Sequence, residues 1–394
     1  MQTEHDLIIA GAGLAGLCLA FALKDTPLKI ALVEATPRLE LQQSPAGDRA
    51  LALAAGTVAE LTTLGIWQGI SHKATPIRHI HISDRGHFGK TRLSAEQEQV
   101  AALGYVITAR DLETHVSDLV TQAGIPCYCP TRLVGIMADP NDIHLSLKSD
   151  KASFTIAAKL LIGADGGNSS VRQLLDIPQQ ITDYQQTALV TTVSTRLPHQ
   201  NTAYERFTAS GPLALLPIDK KQCAVVWTRT REEADALMLG SEADFLAELQ
   251  LNFGYRLGEL SLISPRRAFP LALIRAQRMI ATRTVIIGNA AHQLHPVAGQ
   301  GFNLGLRDVI QLAQRLSDAR HQGIDIGDAH FLTSYAKARQ ADHQRIIGFT
   351  DSVVKIFSND WLPVAATRNI GLTLLDHLPW AKSKLAQQAM GFIR

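Results

Sequence analysis

Three short apolar segments, each followed by a glycine-rich polar turn, dominate the pattern of hydrophobic and polar positions along the chain. They are residues 6–10 before Gly11, residues 159–162 before Gly163 and residues 284–287 before Gly288. Short apolar runs of this kind are typical of buried parallel β-strands. Because ligands of open α/β sheets bind at the carboxyl ends of the strands, turns that are far apart in sequence can converge on one ligand.

A different pattern lies between residues 188 and 228, where short strand-like runs alternate with polar turns. The runs are residues 188–195, 203–208, 213–218 and 223–228, and Asp219, Lys220 and Lys221 form a predicted hairpin turn between the last two. Ile80 and Ile82 alternate with His79 and His81, which predicts another strand near residue 80. We expect a second, mostly antiparallel sheet inserted into the first domain.

The C-terminal part of the chain is predicted to be helical. Apolar residues recur at helical spacing at Phe302, Leu306, Val309, Ala313 and Leu316, and further helices are predicted over residues 331–355 and 362–393. The expected fold class is α/β, with three regions. They are a Rossmann-like domain of residues 1–75, 98–183 and 270–330, an inserted β-sheet domain of residues 76–97 and 184–269, and a helical region of residues 331–394.

The composition is that of an ordered globular protein without an excess of either charge. Of the 394 residues, 46% are hydrophobic and 19% are charged, and the net charge is +2. No basic surplus exists to neutralise a phosphate backbone, so we expect no nucleic-acid partner. Cys127 and Cys129 form a lone C-x-C without a histidine at ligand spacing, so we expect reduced thiols and no metal site.

Residues 7–23 carry no charge, and at 17 residues they are of marginal length for a membrane span. The preceding Glu4, His5 and Asp6 are not the basic segment that a signal peptide needs. Sparse cysteine suits a reducing compartment. We expect a cytoplasmic protein, with peripheral contact at the inner face of the cytoplasmic membrane left open.

Residues 11–16, Gly-Ala-Gly-Leu-Ala-Gly, follow the first predicted strand directly and match a dinucleotide-binding fingerprint. Gly11 makes the tight turn, Gly13 lets the backbone approach a pyrophosphate, and Gly16 lets helix and strand pack closely. Free N–H groups at the helix N-terminus then favour the anion. The next strand ends in Glu34, whose carboxylate can bind a ribose diol and repels a 2′-phosphate. This favours FAD or NAD over NADP; the alternative is a purely structural βαβ unit.

The other two turns resemble the flavin motifs of the flavoprotein aromatic hydroxylases. Asp165 and Gly166, followed by Ser170 and Arg172, resemble the first motif. A later group of residues resembles the second motif. It consists of Gly288, Asn289, Ala290, Ala291 and His292, followed by Pro296, Gly299, Gln300, Gly301 and Asn303. Within this family the chain is most similar to the ubiquinone-biosynthesis hydroxylases. Residues 50–56, 83–87, 205–207, 211–214 and 368–372 carry that similarity.

The resemblance implies an FAD-binding domain of the para-hydroxybenzoate-hydroxylase type, an inserted substrate-binding sheet, and NADH or NADPH as electron donor. The residues implied to hold FAD lie in the three turns and beside them. They are Gly11, Gly13, Leu14, Ala15, Gly16, Glu34, Ala35, Arg49, Arg110, Asp165, Gly166, Gly288, Asn289, Pro296, Gly299, Gln300, Gly301, Phe302 and Asn303. Asn289 stands where most relatives have Asp; its amide can still accept a hydrogen bond, but without the charge.

The implied reaction is hydroxylation of a prenylated phenol by O2 through a flavin C4a-hydroperoxide, at the ring position that becomes a quinone oxygen. A phenol attacks such an oxidant faster when it is ionised. Because its ordinary pKa is about 10, a base or a positive field favours the reaction. His292, His295 and Pro296 are the candidate catalytic residues. The alternative is that the two histidines orient the loop or cap a helix.

Four apolar residues of the second sheet, Phe207, Leu215, Pro217 and Trp227, are candidate walls of a substrate tunnel or, alternatively, plain core. The C-terminal tail mixes apolar residues with cations. Its members are Trp361, Leu362, Ile370, Leu374, Leu378 and Trp380 with Arg368, Lys382, Lys384 and Arg394. Such a tail can lie on a membrane, contact other ubiquinone-biosynthesis proteins or pack on the first domain. A hydroxylase acting at another ring position, a flavoprotein reductase and a non-catalytic scaffold remain alternative functions.

Overall fold

The computed structural model describes residues 5–296, 299–357 and 362–392. Trp361 and Arg394 of the predicted tail lie outside these ranges, as does the side chain of Leu362. Short 3-10 turns lie at Pro45–Asp48, Ser71–Lys73 and Gly288–Ala290.

The first half of the chain alternates between strands and helices. In chain order its elements are β1 (His5–Ala10), α1 (Leu14–Ala22), β2 (Ile30–Val33), α2 (Arg38–Gln43), β3 (Ala50–Ala54), α3 (Ala55–Thr63), α4 (Trp67–Ile70), β4 (Thr75–Ile77), β5 (His79–Asp84), β6 (Lys90–Ser94), β7 (Gly104–Thr108), α5 (Ala109–Gln122), β8 (Cys127–Tyr128), β9 (Arg132–Ala138), β10 (Ile143–Lys148), β11 (Ser153–Gly163) and α6 (Ser170–Leu174).

The second half passes from strands to helices. Its elements are β12 (Gln179–Thr195), β13 (Thr202–Thr208), β14 (Gly211–Asp219), β15 (Gln222–Thr230), α7 (Arg231–Leu239), α8 (Glu242–Phe253), β16 (Leu260–Leu262), β17 (Arg267–Ala276), β18 (Ile280–Ala281), β19 (Thr284–Ile286), β20 (His292–Gln293), α9 (Gln300–His321), α10 (Ala329–Phe357), α11 (Leu362–His377) and α12 (Pro379–Ala389).

The three predicted apolar strands are neighbours in one sheet. Its strand order is β18-β19-β11-β1-β2-β8, and β10 and β9 extend it from β11. Strand β11 lies parallel to both β1 and β19, with Ala10 opposite Gly163 and Gly163 opposite Ile286. All three strands therefore end at the same level, and their turns meet at one edge of the sheet. The expected convergence is confirmed.

The second sheet is mostly antiparallel, as predicted. Within the described residues it has the order β20-β17-β12-β15-β14-β13-β5-β6, with β16 beside β12. The strand predicted near residue 80 is β5, and it is the parallel partner of β13. The predicted hairpin turn joins β14 to β15. A separate small sheet, β3-β7-β4, was not predicted.

Helices with apolar faces cover each of the two large sheets. Helices α1, α5 and α9 bury Leu17, Leu112 and Val309 in one core with residues of β1 and β11. Helices α7 and α8 bury Phe245 and Leu249 against the second sheet. Thr230 and Glu233 form a reciprocal capping box that begins α7 directly after β15.

The structure differs from the sequence expectations in two places. The helix predicted over residues 362–393 is two helices, because Pro379 lacks an N–H and begins α12 instead of continuing α11. Strand β12 crosses the predicted domain boundary at residues 183–184, and strand β17 crosses the one at residues 269–270. Both strands belong to the second sheet, so this sheet extends into residues that were predicted to belong to the first domain. None of the described helices has the length and apolar character to span a membrane.

Candidate active site

The first turn is shaped by what its glycines allow. Gly11 has φ +103°, and a Cβ there would lie 2.5 Å from the Ala164 carbonyl oxygen. A Cβ at Gly16 would collide with the Gly11 carbonyl oxygen. Gly13, in contrast, faces open space, with no atom within 4 Å of a built Cβ, and α1 begins there without a side-chain cap. Close packing at Gly11 and Gly16 with free backbone at Gly13 fits a bound pyrophosphate.

Glu34 ends β2 beside this turn and holds it in place. One carboxylate oxygen accepts a hydrogen bond from Ala12 N at 2.8 Å, and the other accepts one from Thr36 N at 2.7 Å. Glu34 and Ala35 are both half-buried. Each carboxylate oxygen retains a second acceptor position, so the predicted contact with a ribose remains a prediction.

The second turn follows β11 and presents an unused acceptor. Asp165 Oδ2 accepts a hydrogen bond from Val171 N at 3.0 Å. Asp165 Oδ1 is buried and has no hydrogen-bond partner among the described residues. A buried carboxylate oxygen without a donor is costly, and a hydroxyl of the expected FAD supplies the missing donor. This orphaned oxygen shows that the site fits the cofactor.

Arg172 ties the second turn to the third. Its guanidinium donates to the Ala290 carbonyl oxygen at 2.9 Å and to the Gly167 carbonyl oxygen at 2.6 Å. The third turn also packs on α1, since a Cβ at Gly288 would lie 3.1 Å from the Ala15 side chain. Asn289 is exposed at this edge. The three turns thus form one continuous rim.

The side chain of Asn303 is fully engaged within the protein, and its predicted contact with FAD stays a prediction. Its side-chain oxygen accepts hydrogen bonds from Ala54 N and Thr57 Oγ1, and its amide donates to the Ala52 and Gly299 carbonyl oxygens. These bonds use both donors and both acceptors of the amide. Asn303 therefore fastens the start of α9 to β3 and positions the turn, while Gly301 beside it faces open space.

The predicted arginines lie along the cleft between the first domain and the second sheet. Arg110 donates to Asp48 at 2.6 Å and to the Ser44 carbonyl oxygen, and Arg49 donates to the Ala46 carbonyl oxygen at 2.9 Å. Asp48 also pairs with Arg267 of β17 at 2.9 Å. This second pair joins the two regions across the cleft.

His292 points into a buried charge cluster beneath the third turn. Asp308 of α9 accepts hydrogen bonds from His292 at 2.9 Å, His343 at 2.7 Å and Arg339 at 2.6 Å. Burial alone raises the pKa of the Asp308 carboxyl, but the bonds from the two histidines hold it well below its usual range. The three ligand-type side chains lie close enough for a metal ion, yet Arg339 already supplies the positive charge. This arrangement favours the alternative that His292 orients the loop.

His295 and Pro296 lie at the end of the same turn. The His295 ring is buried and packs edge-on against Tyr184, with 5.3 Å between ring centroids. Burial lowers the pKa of His295 to about 4. At neutral pH the ring is therefore uncharged, so it supplies no positive field. It is also weakly basic, which does not favour efficient proton abstraction. The catalytic roles assigned to these residues remain predictions.

The second sheet has two faces, and they are packed differently. The sealed face includes Leu189, Leu215, Val225 and Trp227, all fully buried against α7 and α8. The cleft face turns toward the first domain, where β14 contacts β3 and β7. A row of residues that pair directly across neighbouring strands runs over the cleft face, and every member of this row is half-buried. The row is Arg267, Val190, Val226, Ala214, Glu205 and Ile82.

Only one of the four predicted substrate residues is on the cleft face. Phe207 stacks on Phe357 of α10 with centroids 3.7 Å apart. Leu215, Pro217 and Trp227 lie on the sealed face. Each is paired across the strands with a residue of that face, and residues two positions apart along a strand share one face. Leu215 and Trp227 are fully buried in the core under α7 and α8, which contradicts a tunnel wall at these two positions, while the substrate roles of Phe207 and Pro217 stay predictions. Leu216, next to Leu215, is half-buried on the cleft face and packs with Ile77 and Val106.

Two of the segments that carried the sequence resemblance meet in the structure. Asp84 of β5 is buried and receives two hydrogen bonds from Arg368, at 2.8 and 3.1 Å, and one from Asn369 at 2.8 Å. Asn369 also accepts a hydrogen bond from Gly89 N. These bonds fasten α11 onto the hairpin of β5 and β6, so the C-terminal region closes one end of the second sheet.

A family model described as FAD binding domain matches residues 4–350 of the chain. Ubiquinone hydroxylase UbiL of Rhodospirillum rubrum is 32% identical over 398 residues, covering 99% of this chain and 90% of that protein. The chain belongs to the FAD-binding flavoprotein hydroxylases. An uncharacterized protein of Synechocystis, slr1300, is 36% identical to this hydroxylase over 390 residues, covering 99% and 93%. p-Nitrophenol 4-monooxygenase PnpA of Pseudomonas putida DLL-E4 shares the fold, with TM-score 0.82, 16% identity and 99% coverage of both chains.

This hydroxylase is an FAD-dependent monooxygenase, and its family typically takes electrons from NADH or NADPH. The open backbone at Gly13, the orphaned Asp165 oxygen and the open face at Gly301 all belong to the rim that the three turns form.

Proposed function

We propose that this enzyme hydroxylates 2-octaprenyl-6-methoxyphenol to 2-octaprenyl-6-methoxy-1,4-benzoquinol in ubiquinone biosynthesis. The observation that carries the proposal is the half-buried row on the cleft face, whose members Val190, Val226, Ala214 and Ile82 are apolar. Apolar strand residues between two packed layers are normally sealed, as they are on the other face. Their exposure to a cleft suits an apolar ligand such as a prenylated ring.

The residues of the rim have distinct roles in this proposal. The backbone at Gly13 and the start of α1 bind the pyrophosphate, and Asp165 accepts a hydrogen bond from the polyol. When bound, reduced FAD supplies the electrons that activate O2 for transfer to the ring. The protein holds the phenol in the cleft, orients it toward the ring-binding turn and excludes water.

The similarity to a ubiquinone hydroxylase supports a function in ubiquinone biosynthesis. Other reactions remain alternatives. One alternative is hydroxylation at another ring position. A flavoprotein reductase and a non-catalytic scaffold of the biosynthetic proteins are the others. Deleting the gene and identifying the accumulated quinone precursor by mass spectrometry tests them together. We expect 2-octaprenyl-6-methoxyphenol; a precursor that already carries this oxygen would contradict the proposal.

The purified protein provides the matching biochemical test. It should be yellow, with FAD released on denaturation, and it should incorporate one atom of ¹⁸O2 into the prenylated phenol when NADH or NADPH is supplied. Reduction of the substrate without oxygen incorporation would identify a reductase instead. A colourless protein that takes up no FAD would point to the scaffold.

We also propose that α11 contacts the membrane that holds such a substrate. Its inward face buries Leu372 together with Arg368 and Asn369, which bind Asp84, while Ile370 and Leu374 on the outward face are each 53% exposed. Leu378 and Trp380 continue the exposed apolar surface. An outward apolar surface of this kind suits a helix that lies on lipid, at the inner face of the cytoplasmic membrane.

Flotation with vesicles of phosphatidylethanolamine and phosphatidylglycerol tests this contact. The double variant Ile370→Lys, Leu374→Lys should lose binding, while the matched control Leu239→Lys, at an exposed leucine of α7, should float like the unchanged protein. Equal flotation of all three proteins would remove the membrane proposal and leave contact with another protein as the reason for the apolar surface.

A further inference from the structure

Glu205 lies in the half-buried row on the cleft face, with apolar residues on both sides of it. It sits on β13 between Ala203, which packs against Ile77 of the first domain, and Phe207. Its direct cross-strand neighbours are Ile82 on β5 and Ala214 on β14. Because residues alternate between faces along a strand, the Glu205 side chain shares the face of Ala203 and Phe207 and is directed into the cleft.

No charged or polar group compensates this carboxylate. The side chain of Glu205 takes part in no hydrogen bond or ion pair among the described residues. The adjacent Tyr204 and Arg206 belong to the opposite face, where Tyr204 packs on Phe253. Burial raises the pKa of Glu205 to about 7, and no neighbouring charge contributes to this rise.

Two charged groups that share its face, Asp84 and Arg267, are engaged elsewhere. Asp84, on the neighbouring strand at the level of Phe207, is bound by Arg368 and Asn369. Arg267 lies at the other end of the row, paired with Asp48. Three strands separate Arg267 from Glu205, which is about 19 Å at ordinary strand spacing. On the nearer strand β14, the residues of this face are Pro212, Ala214 and Leu216.

An uncompensated carboxylate in an apolar wall is unfavourable for the fold, so a structural role does not explain it. A phenol held in the cleft would bring the missing partner, a hydroxyl donor. We infer that Glu205 is the general base that accepts the proton of the phenolic substrate. This inference rests on the proposed function, since it requires a phenol as substrate.

The proton step is balanced without any further reactant. The phenol O–H bond breaks, an O–H bond forms on the Glu205 carboxylate, and the negative charge moves from the carboxylate to the phenolate oxygen. After oxygen transfer the carboxylic acid returns its proton to that oxygen as the hydroxylated ring regains aromaticity, and the displaced ring proton leaves to water. A base that titrates close to neutral pH is well matched to this task.

The two histidines of the flavin turn are less suitable for the same step. His292 is engaged with Asp308 beneath the turn, and His295 is buried beside Tyr184. Glu205 lies instead on the wall that faces the cleft, where the phenol binds in our proposal.

Glu205→Gln tests the assignment in the FAD-loaded full-length enzyme, with Glu205→Asp as a conservative variant and Glu232→Gln, at an exposed glutamate of α7, as the matched control. With the prenylated phenol, we expect Glu205→Gln to lower kcat for product formation about 100-fold while KM and FAD content change less than about twofold. The rise of kcat near pH 7 in the wild type should disappear. Glu205→Asp should restore part of the rate, and Glu232→Gln should behave as wild type.

A nitro-substituted prenylated phenol provides the second measurement, because it is already ionised at pH 8 and needs no base. With this substrate the loss of rate in Glu205→Gln should shrink to about threefold. Without reduced nucleotide, the absorbance of the bound nitrophenol should titrate in two steps in the wild type and in one step in Glu205→Gln, since two coupled groups share their protons.

The outcomes separate the two proposals. A wild-type enzyme that hydroxylates no prenylated phenol contradicts the proposed function. An active wild type whose Glu205→Gln variant keeps the same rate, pH profile and two-step titration contradicts the assignment of Glu205 alone. If Glu205→Gln does not fold, Glu205→Asp carries the same comparison with both phenols.

Discussion

The two faces of the second sheet are made of similar residues but serve different purposes. On the sealed face, Leu215 and Trp227 are fully buried against α7 and α8. On the cleft face, Leu216 and Val226, their neighbours in the same strands, are only half-buried. Both faces are apolar, so composition does not distinguish them. What differs is the covering layer, because helices α7 and α8 cover one face and the flavin-binding domain lies over the other.

This difference shows how the fold divides stability from function. Close packing on the sealed face gains the full free energy of burial. Half-buried apolar residues on the cleft face gain only part of this free energy of burial. Glu205 adds an uncompensated charge to the same face. Sites that bind and react commonly carry such local costs.

Truncation on the sealed face should have the largest effect on stability. Trp227→Ala removes a fully buried indole that packs on Phe245, and we expect it to lower the free energy of unfolding by about 3–5 kcal/mol. Val226→Ala, one residue away on the cleft face, should cost less than about 1 kcal/mol. Urea denaturation of both variants at saturating FAD measures the difference. Equal losses would show that the cleft face is packed as tightly as the sealed one.

Much of the flavin rim could be predicted from the sequence because its signals are local and steric. Gly11, Gly16 and Gly288 follow strands directly, and the structure shows a close contact at each. Short apolar strands of a parallel sheet are also recognisable, since both of their faces are buried. The strand, turn and helix order therefore predicted where three distant turns would meet.

The orientation of the second sheet could not be predicted in the same way. A sheet that is apolar on both faces has no polar alternation to show which residues face which layer. Leu215 and Trp227 were accordingly placed on the wrong side. The Asp308 cluster was also missed, because its partners His292, Arg339 and His343 come from separate segments and only tertiary packing brings them together.

The charge on the cleft face should make stability depend on pH. The pKa of Glu205 rises from 4.5 to about 7 on folding, so the folded state holds this proton more tightly than the unfolded state. The contribution is fully present below about pH 4.5 and is lost as pH rises through 7. Relative to Glu205→Gln, the wild type should lose about 2 kcal/mol between pH 5 and pH 8, less than the full ~1.4 kcal/mol per pKa unit because Glu205 is only half-buried.

Urea denaturation of both proteins across this pH range measures the effect, and subtraction removes the contribution of all other groups. The Glu232→Gln control should show no such trend against the wild type. A constant difference between the wild type and Glu205→Gln would mean that the carboxylate is solvated or paired in solution, and the cleft face would then resemble an ordinary surface.

The smallest expected effect concerns two adjacent leucines on opposite faces of β14. Leu216→Ala should raise KM for the prenylated phenol about fivefold to tenfold, roughly 1–1.4 kcal/mol of lost apolar contact, and change the free energy of unfolding by less than about 1 kcal/mol. Leu215→Ala should do the reverse, leaving KM unchanged while lowering stability by about 2–5 kcal/mol. Because the two substitutions remove the same atoms from neighbouring positions of one strand, only the layer each side chain faces can separate their effects. If both variants shift KM, or neither does, the substrate does not bind on the face that carries Glu205.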